Sequence, residues 1–567
     1  MNDARRRTSP YTARCLIVLA IGVATVGARA AELDVAIERY QQIIADELAR
    51  GIVPCVSVAW VVDGRVMHAA GYGLADRERN IAATADTIYR AGSISKLFNA
   101  LGAMRLVEEG KLDLDAPLSR ALPEFQIQNP FPNAADVTVR QLLCHRSGMI
   151  RESPVGGYLD TGQPDLVATV ASVAGCAIVN PPNTMMRYSN VGPTLVGRAV
   201  EVQSQIAYPD YQRRYILEPL GMSSSAWMMT DALRPRLAKA VMRVANGDGT
   251  YRTEAAPEFE LGTVPAGNLY TTAADLARFA AYVIDAGSAV HIVKRETLES
   301  MFTVQLTNES TGFGLGFSVG KFRDHKTVQH TGAVYGFTSS LVVLPEQKIG
   351  AIVLTSADLA GAAVRRLSES ALSLLLEAVK GESIPKVAPR VDISDEQLTA
   401  MAGNYESQSY WATLTVDNRT VHGAISGQEI ELTPIGPGKF VADGRLMYRT
   451  PVDIEMGTDG RVVAFSAAGQ RFQRVANDSE TNIPAAWQGL LGMYGPKFIP
   501  LVVSARHGHL YATVENEYDY RLMPVNRVCF DLTPGMYADE KVVFQLSDDA
   551  RASSVIFANQ TLRRVGK

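Results

Sequence analysis

Cysteine is scarce in this chain, five among 567 residues. Cys55, Cys144, Cys176 and Cys529 stand far apart, without a Cys-x-x-Cys pair, which predicts neither a disulfide framework nor a metal site. The eight histidines are equally scattered, and His507-Gly508-His509 has no further ligand pattern nearby. A large charge of one sign is missing too. The formal charge of −4 gives no electrostatic reason to seek nucleic acid. Beyond the N-terminus no apolar run approaches the ~20 residues that cross a bilayer.

At the N-terminus, Arg5, Arg6, Arg7 and Arg14 precede an apolar run over residues 15–26, and Ala28-Arg29-Ala30 supplies small residues at the positions a signal peptidase reads. Residues 1–30 are therefore expected to be a cleaved secretory signal. Cys15 begins the run instead of ending it, which speaks against a lipoprotein site. Losing this segment removes five arginines and one aspartate and takes the formal charge from −4 to −8. The remaining length exceeds a single core, so several domains are expected.

What the chain does have is Ala91-Gly92-Ser93-Ile94-Ser95-Lys96, followed by an apolar run to Leu106. Read as a helix beginning at Ser93, it sets Ser93 and Lys96 three apart on one face, an amine beside a hydroxyl. A serine hydroxyl is a poor nucleophile near neutral pH until an adjacent base takes its proton. A helix N-terminus adds free N–H groups and positive potential. Taken alone, Ser93 reads equally well as a helix cap. Ser383-Ile384-Pro385-Lys386 repeats the spacing as a decoy, because Pro385 denies it a regular helix.

The surrounding chain predicts a helix over residues 32–50 ended by Gly51, then a hairpin of residues 56–62 and 65–71 about Asp63-Gly64. A helix begins near Thr138, and His145-Arg146-Ser147-Gly148-Met149 follows as a loop. Tyr188 and Asn190 lie two apart on a loop before an apolar helix at 193–202, where a phenol and an amide can face one cleft. The bland alternative is a turn with an incidental aromatic. Residues 265–276 read as a glycine-bearing loop leading into a Thr-capped helix. Val328-Gln329-His330-Thr331-Gly332-Ala333 leads to apolar strands at 339–344 and 349–354. A helix over 359–379 ends this unit, and residues 385–389 read as a linker. From about Asp395 the pattern changes to short alternating runs between Asn, Asp and Gly turns. Gly403-Asn404-Tyr405 recurs as Gly492-Met493-Tyr494, and Phe472-Gln473-Arg474-Val475 as Leu562-Arg563-Arg564-Val565. Two copies of one all-β unit fit this repeat.

Together, Ser93-Ile94-Ser95-Lys96, Tyr188-Ser189-Asn190 and His330-Thr331-Gly332 resemble, in order and spacing, the serine β-lactamase and penicillin-binding-protein-like superfamily. The resemblance is to its class C branch and covers about residues 32–380; the His145–Met149 phrase and residues 312–317 look like that branch too. It implies an α+β fold, a mixed antiparallel sheet flanked by helices plus a helical lobe, here followed by two small all-β barrel-like domains. It also implies that Ser93 attacks a carbonyl while Lys96 and Tyr188 share the proton transfers. Asn190, His330, Thr331 and Gly332 would bind substrate, and the backbone N–H groups of Ser93 and Ala333 would form the oxyanion hole. True class C β-lactamases carry a lysine at the position of His330. A histidine there resembles D-aminopeptidases, alkaline D-peptidases and some DD-peptidases, and D-aminopeptidases also append two β-barrels.

The expected organisation is a signal peptide at 1–30, a hydrolase domain at 31–384, and barrel-like domains at 390–478 and 482–567. The expected protein is a secreted, periplasmic serine hydrolase forming an acyl-enzyme on amide or peptide bonds next to a D-amino acid. It would take a small-molecule or short-peptide substrate and need no cofactor or metal. It would bind no nucleic acid and, after signal removal, would not span a membrane. A carboxylesterase or β-lactamase on the same fold is the second reading. A non-catalytic peptidoglycan or β-lactam sensor is the third, and a binder has no use for a proton relay. The residues leave stereospecificity and oligomeric state open.

Overall fold

Strands Cys55–Val62, Phe337–Leu344 and Ile349–Thr355 are buried along their whole lengths, so both of their faces must be covered. They are the centre of an eight-stranded sheet in a computed structural model that describes residues 31–284, 290–458, 460–476 and 483–566. The expected signal at residues 1–30 lies outside the described residues. Strand order across the sheet is Ile81–Ala82, Arg65–Asp76, Cys55–Val62, Ile349–Thr355, Phe337–Leu344, His325–Val334, Ser318–Phe322, Gly312–Phe313. Every neighbouring pair is antiparallel. The hairpin after Val62 turns tightly because Asp63 and Gly64 both hold positive φ, 49° and 74°, the geometry that suits twisted strands.

One face of the sheet is covered by a helix over residues 31–49 and by Gly361–Lys380, whose Leu367 and Leu375 share a core with Tyr40, Ile44 and Trp60. The other face carries the helical lobe, including Ser95–Glu108, Val191–Ser204 and Ala273–Ile284. There Leu97, Phe98, Leu195 and Phe279 pack with Leu341 of the sheet.

Residues 381–394 carry no helix or strand. A short helix that the alternating pattern did not suggest, Asp395–Met401, follows behind a capping box of Ser394 and Gln397. Two closed eight-stranded antiparallel barrels complete the chain, one joining Gly403–Glu406 to Gln470–Val475 and the other joining Gly492–Tyr494 to Gln560–Gly566. Their sequence repeat is a physical clasp. Arg474 donates to the carbonyls of Ala400, Ala402 and Val462 and to the Tyr405 hydroxyl. Arg564 does the same to Gly489, Leu491, Ala552 and Tyr494. A Cβ on Gly403 or Gly492 would stand 2.2 Å from the respective arginine Nη1, so each repeated glycine makes room for its guanidinium.

Candidate active site

Ser93 does not open the α-helix as its spacing suggested. Gly92–Ile94 form a 3-10 turn and the α-helix starts at Ser95. The reason is a seam between this turn and the strand His325–Val334. Gly92 holds φ +54°, and a Cβ there would come within 2.7 Å of Ala333 N. Across the seam, a Cβ on Gly332 would lie 1.9 Å from the Ala91 carbonyl, which also accepts a hydrogen bond from Ser339 Oγ at 2.9 Å. Both glycines are therefore required by close backbone approach, and that approach brings the Ala333 N–H beside the serine turn.

Lys96, one residue into the α-helix, is buried and directs Nζ at three oxygens: Ser93 Oγ, Asn190 Oδ1 and the Ala266 carbonyl, each at 2.8 Å. Burial pushes its amine well below the usual lysine range; Glu152 pulls it back up and Arg151 pushes it further down. Asn190 precedes the helix Val191–Ser204 without a side-chain capping bond, and its Nδ2 donates to Glu152 Oε1. Its amide is thus held on one side by Lys96 and on the other by a buried carboxylate. Tyr188 lies against His145, ring centroids 4.3 Å apart, with Lys96 Nζ 5.0 Å from its ring centre. Burial pushes the Tyr188 phenol up to about 12, against hydrogen bonding with Ser93 and the charge of Arg151.

His330 and Thr331 lie within the strand His325–Val334, where the sequence had suggested only an approach to the sheet. Burial, with a smaller contribution from Lys96, depresses the His330 imidazole to about 3. Its Nδ1 sits 2.6 Å from the Thr331 carbonyl, so Nδ1 carries the hydrogen and Nε2 is a bare acceptor, buried without a partner. Thr331 and Ala333 are exposed on the opposite face. Among the described residues no group of three or more His, Cys, Asp or Glu is placed to hold a metal.

Two sets of residues escaped the sequence. Arg151 and Glu152 come one residue beyond the His145–Met149 loop, a position that was the only available hint. Glu515 and Glu517 flank a turn of the second barrel that reaches the cleft, and with Ser93, Tyr188, Asn190 and His330 they line one cavity of about 850 Å³. Arg151 joins the two sets. Its Nε lies 3.5 Å from Glu515 and 3.8 Å from Glu152, and its backbone N–H donates to Glu540 at 3.0 Å. Tyr537 donates to Glu515 at 2.6 Å. Burial, and then the nearby Glu515, pushes the Glu517 carboxyl up to about 7. Burial, with a smaller push from Glu152, raises Glu540 to about 7, against its bond to Arg151 and the charges of Arg151 and Arg187.

The family model described as Beta-lactamase matches residues 40–374. Penicillin-binding protein 4 of Amycolatopsis lactamdurans is 29% identical over 374 residues, 63% of this chain and 94% of that one. The octameric penicillin-binding protein homologue from Pyrococcus abyssi is 26% identical with a TM-score of 0.56, covering 77% of this chain and 99% of its own. A D-amino acid amidase from Ochrobactrum anthropi SV3, solved with L-phenylalanine amide, shares the fold at 24% identity and a TM-score of 0.52, over 61% of this chain and 99% of its own.

Proposed function

The chain belongs to the beta-lactamase family and is a serine hydrolase, and on that premise we propose that it cleaves amides or peptides of D-amino acids whose amino group is free. The observation that carries the chemistry is the 2.8 Å contact between Lys96 Nζ and Ser93 Oγ in a site where burial favours the neutral amine. With a neutral amine that contact runs from the serine O–H to Nζ, the polarity a nucleophile needs. Ser93 Oγ bonds to the acyl carbon as the C–N bond breaks, and Lys96 with Tyr188 passes the serine proton to the departing nitrogen. The N–H groups of Ser93 and Ala333 stabilise the oxyanion. Asn190 holds Lys96 and the substrate amide in register. Water then releases the acyl group by the same relay.

Two features support the substrate. Neutral His330 offers no cation to a substrate carboxylate, unlike a lysine in its place. Glu517, beside a Glu515 already engaged by Arg151 and Tyr537, has its carboxyl pushed up to about 7, so an arriving ammonium would draw it to the anion and gain a charged partner. An ester is the second reading, favoured by the uncharged His330 alone. Removal of residues 1–30 and delivery to the periplasm are part of the proposal, checked by the intact mass of the protein from the cell envelope: a mature start at Ala31 is expected, and a retained segment overturns it.

The main test offers D- and L-amino-acid amides, their N-acylated forms and p-nitrophenyl esters to wild type and variants. Ser93→Ala should stay folded and lose at least about 10³-fold in kcat. Tyr188→Phe should slow acylation by roughly 10²–10⁴-fold. Comparable turnover in Ser93→Ala would sink the nucleophile, and an L-selective or N-acyl-selective enzyme would sink the substrate class.

A further inference from the structure

The cleft does not end at Ser93. The same cavity crosses the strand His325–Val334 and continues as a groove between that strand's outer face and the helix Gly361–Lys380. Register sets the lining: Thr331 lies opposite Ser340, and Gln329 opposite Val342, all on one face. Leu446, from a loop of the first barrel whose Arg445 carbonyl accepts the Ala362 N–H at 3.2 Å, lines the cavity at the serine end, where the helix begins and Thr338, the partner of Ala333, donates to the Ala357 carbonyl. The other end lies toward Thr327 and Leu372. Two hydroxyls in the lining, Thr327 Oγ1 and Ser368 Oγ, are buried and have no hydrogen-bond partner. Such groups cost stability unless something meets them.

The charges at the mouth are of both signs. Arg365 is paired with Glu369 at 2.7 Å, and Lys321 stands on the neighbouring strand. One unpaired lysine, among the described residues, is little hold for a polyanion, and an apolar chain would leave the hydroxyls unmet. A peptide main chain fits, since it carries donors and acceptors at regular spacing without formal charge. At ~3.3 Å per residue the distance from Thr331 to Thr327 is about 13 Å, enough for three or four extended residues.

We propose that this arm is a leaving-group subsite for a short peptide, running from Ser93 over Thr331 and Gln329 toward Thr327. It rests on the acyl-transfer reading above, in which the second barrel's turn takes the acyl end and leaves this side for the departing amine. Binding energy gathered here, away from the bond that breaks, can be used to raise kcat/KM.

The experiment compares kcat/KM for D-alanyl-glycyl-glycine with that for D-alanine amide. The wild-type ratio should be about 10 or more, and Gln329→Trp, which fills the groove beside Val342, should bring it to about 1. Lys321→Trp, on the neighbouring strand at the groove's mouth, gives the same reading should the first variant not fold. A second measurement is independent of the acyl group: triglycine should slow fluorophosphonate labelling of Ser93 in wild type and not in Gln329→Trp. Protection by triglycine without cleavage of either D-alanine compound would keep the subsite and defeat the proposed substrate. A wild-type ratio near 1, or a ratio or protection that survives both tryptophans, overturns the subsite.

Discussion

The two barrels share one plan and put the same turn to different uses. In the first, strands Thr420–Ile425 and Gln428–Gly436 are joined by two residues, Ser426 and Gly427, both at positive φ. In the second, His509–Val514 and Tyr518–Pro524 are joined by three, Glu515, Asn516 and Glu517. The longer, acidic turn lines the cleft. The shorter one stands behind it: Ser426 Oγ donates to the Asp519 carbonyl at 2.9 Å and Gln428 to the backbone of the acidic turn. A repeated scaffold kept closed by one Arg–Tyr clasp can thus change its task through one residue of turn length and two carboxylates, the rest of the barrel being free to serve as support.

The sharpest way to break that comparison is to graft the Ser-Gly turn in place of Glu515-Asn516-Glu517. We expect kcat/KM for amides with a free amino group to fall about 10²–10³-fold while N-acylated amides lose less or gain, since an anion and a wall are removed together. Equal losses on both substrates would deny the turn any part in selection. Next come Arg474→Ala and Arg564→Ala, which strip donors from matching carbonyls. Each should cost about 3 kcal/mol by urea unfolding, and costs differing by more than about 1 kcal/mol would undo the structural equivalence of the clasps.

A smaller effect follows from pH. The Glu540 carboxyl titrates near 7 in the fold and near 4.5 when unfolded, so the native state keeps a proton that the unfolded chain has released. Its contribution to stability is present below about pH 4.5 and is lost as the pH rises to about 7. Glu540→Gln should flatten that decline by about 1–2 kcal/mol. An unchanged slope would show that the docked carboxylate is not strained. Smallest is Ser426→Ala, which should cost about 1 kcal/mol or less and move KM for a free-amino amide by about twofold; a larger shift would give the supporting turn a direct role in binding.

Ser93, Lys96, Tyr188, Asn190 and His330 were legible because each stands in a short word whose residue types carry chemistry, and the order of the words narrowed the fold. Arg151 and Glu152 were not, since an arginine beside a glutamate in a loop reads as a solvated pair until burial is known. Glu540, 389 residues beyond Arg151, has no local pattern at all; only the docking of a barrel gives it meaning. Gly332 was read as part of a substrate-binding word, whereas its backbone approach to Ala91 is a packing demand that one sequence cannot display. The barrel repeat was visible, but its cause, a guanidinium lodged over a glycine, required both ends of each barrel to be brought together.

The central sheet pairs Val56 with Thr355, so its first strand has its inner neighbour only after nearly the whole hydrolase region exists. Closing so long a loop is slow and comes late. Until residues 332 and 333 have been added, the serine turn lacks the strand it packs against. A fragment ending short of that strand therefore cannot form the seam, and one ending at the hydrolase region would still lack the wall that Glu515 and Glu517 give the cleft.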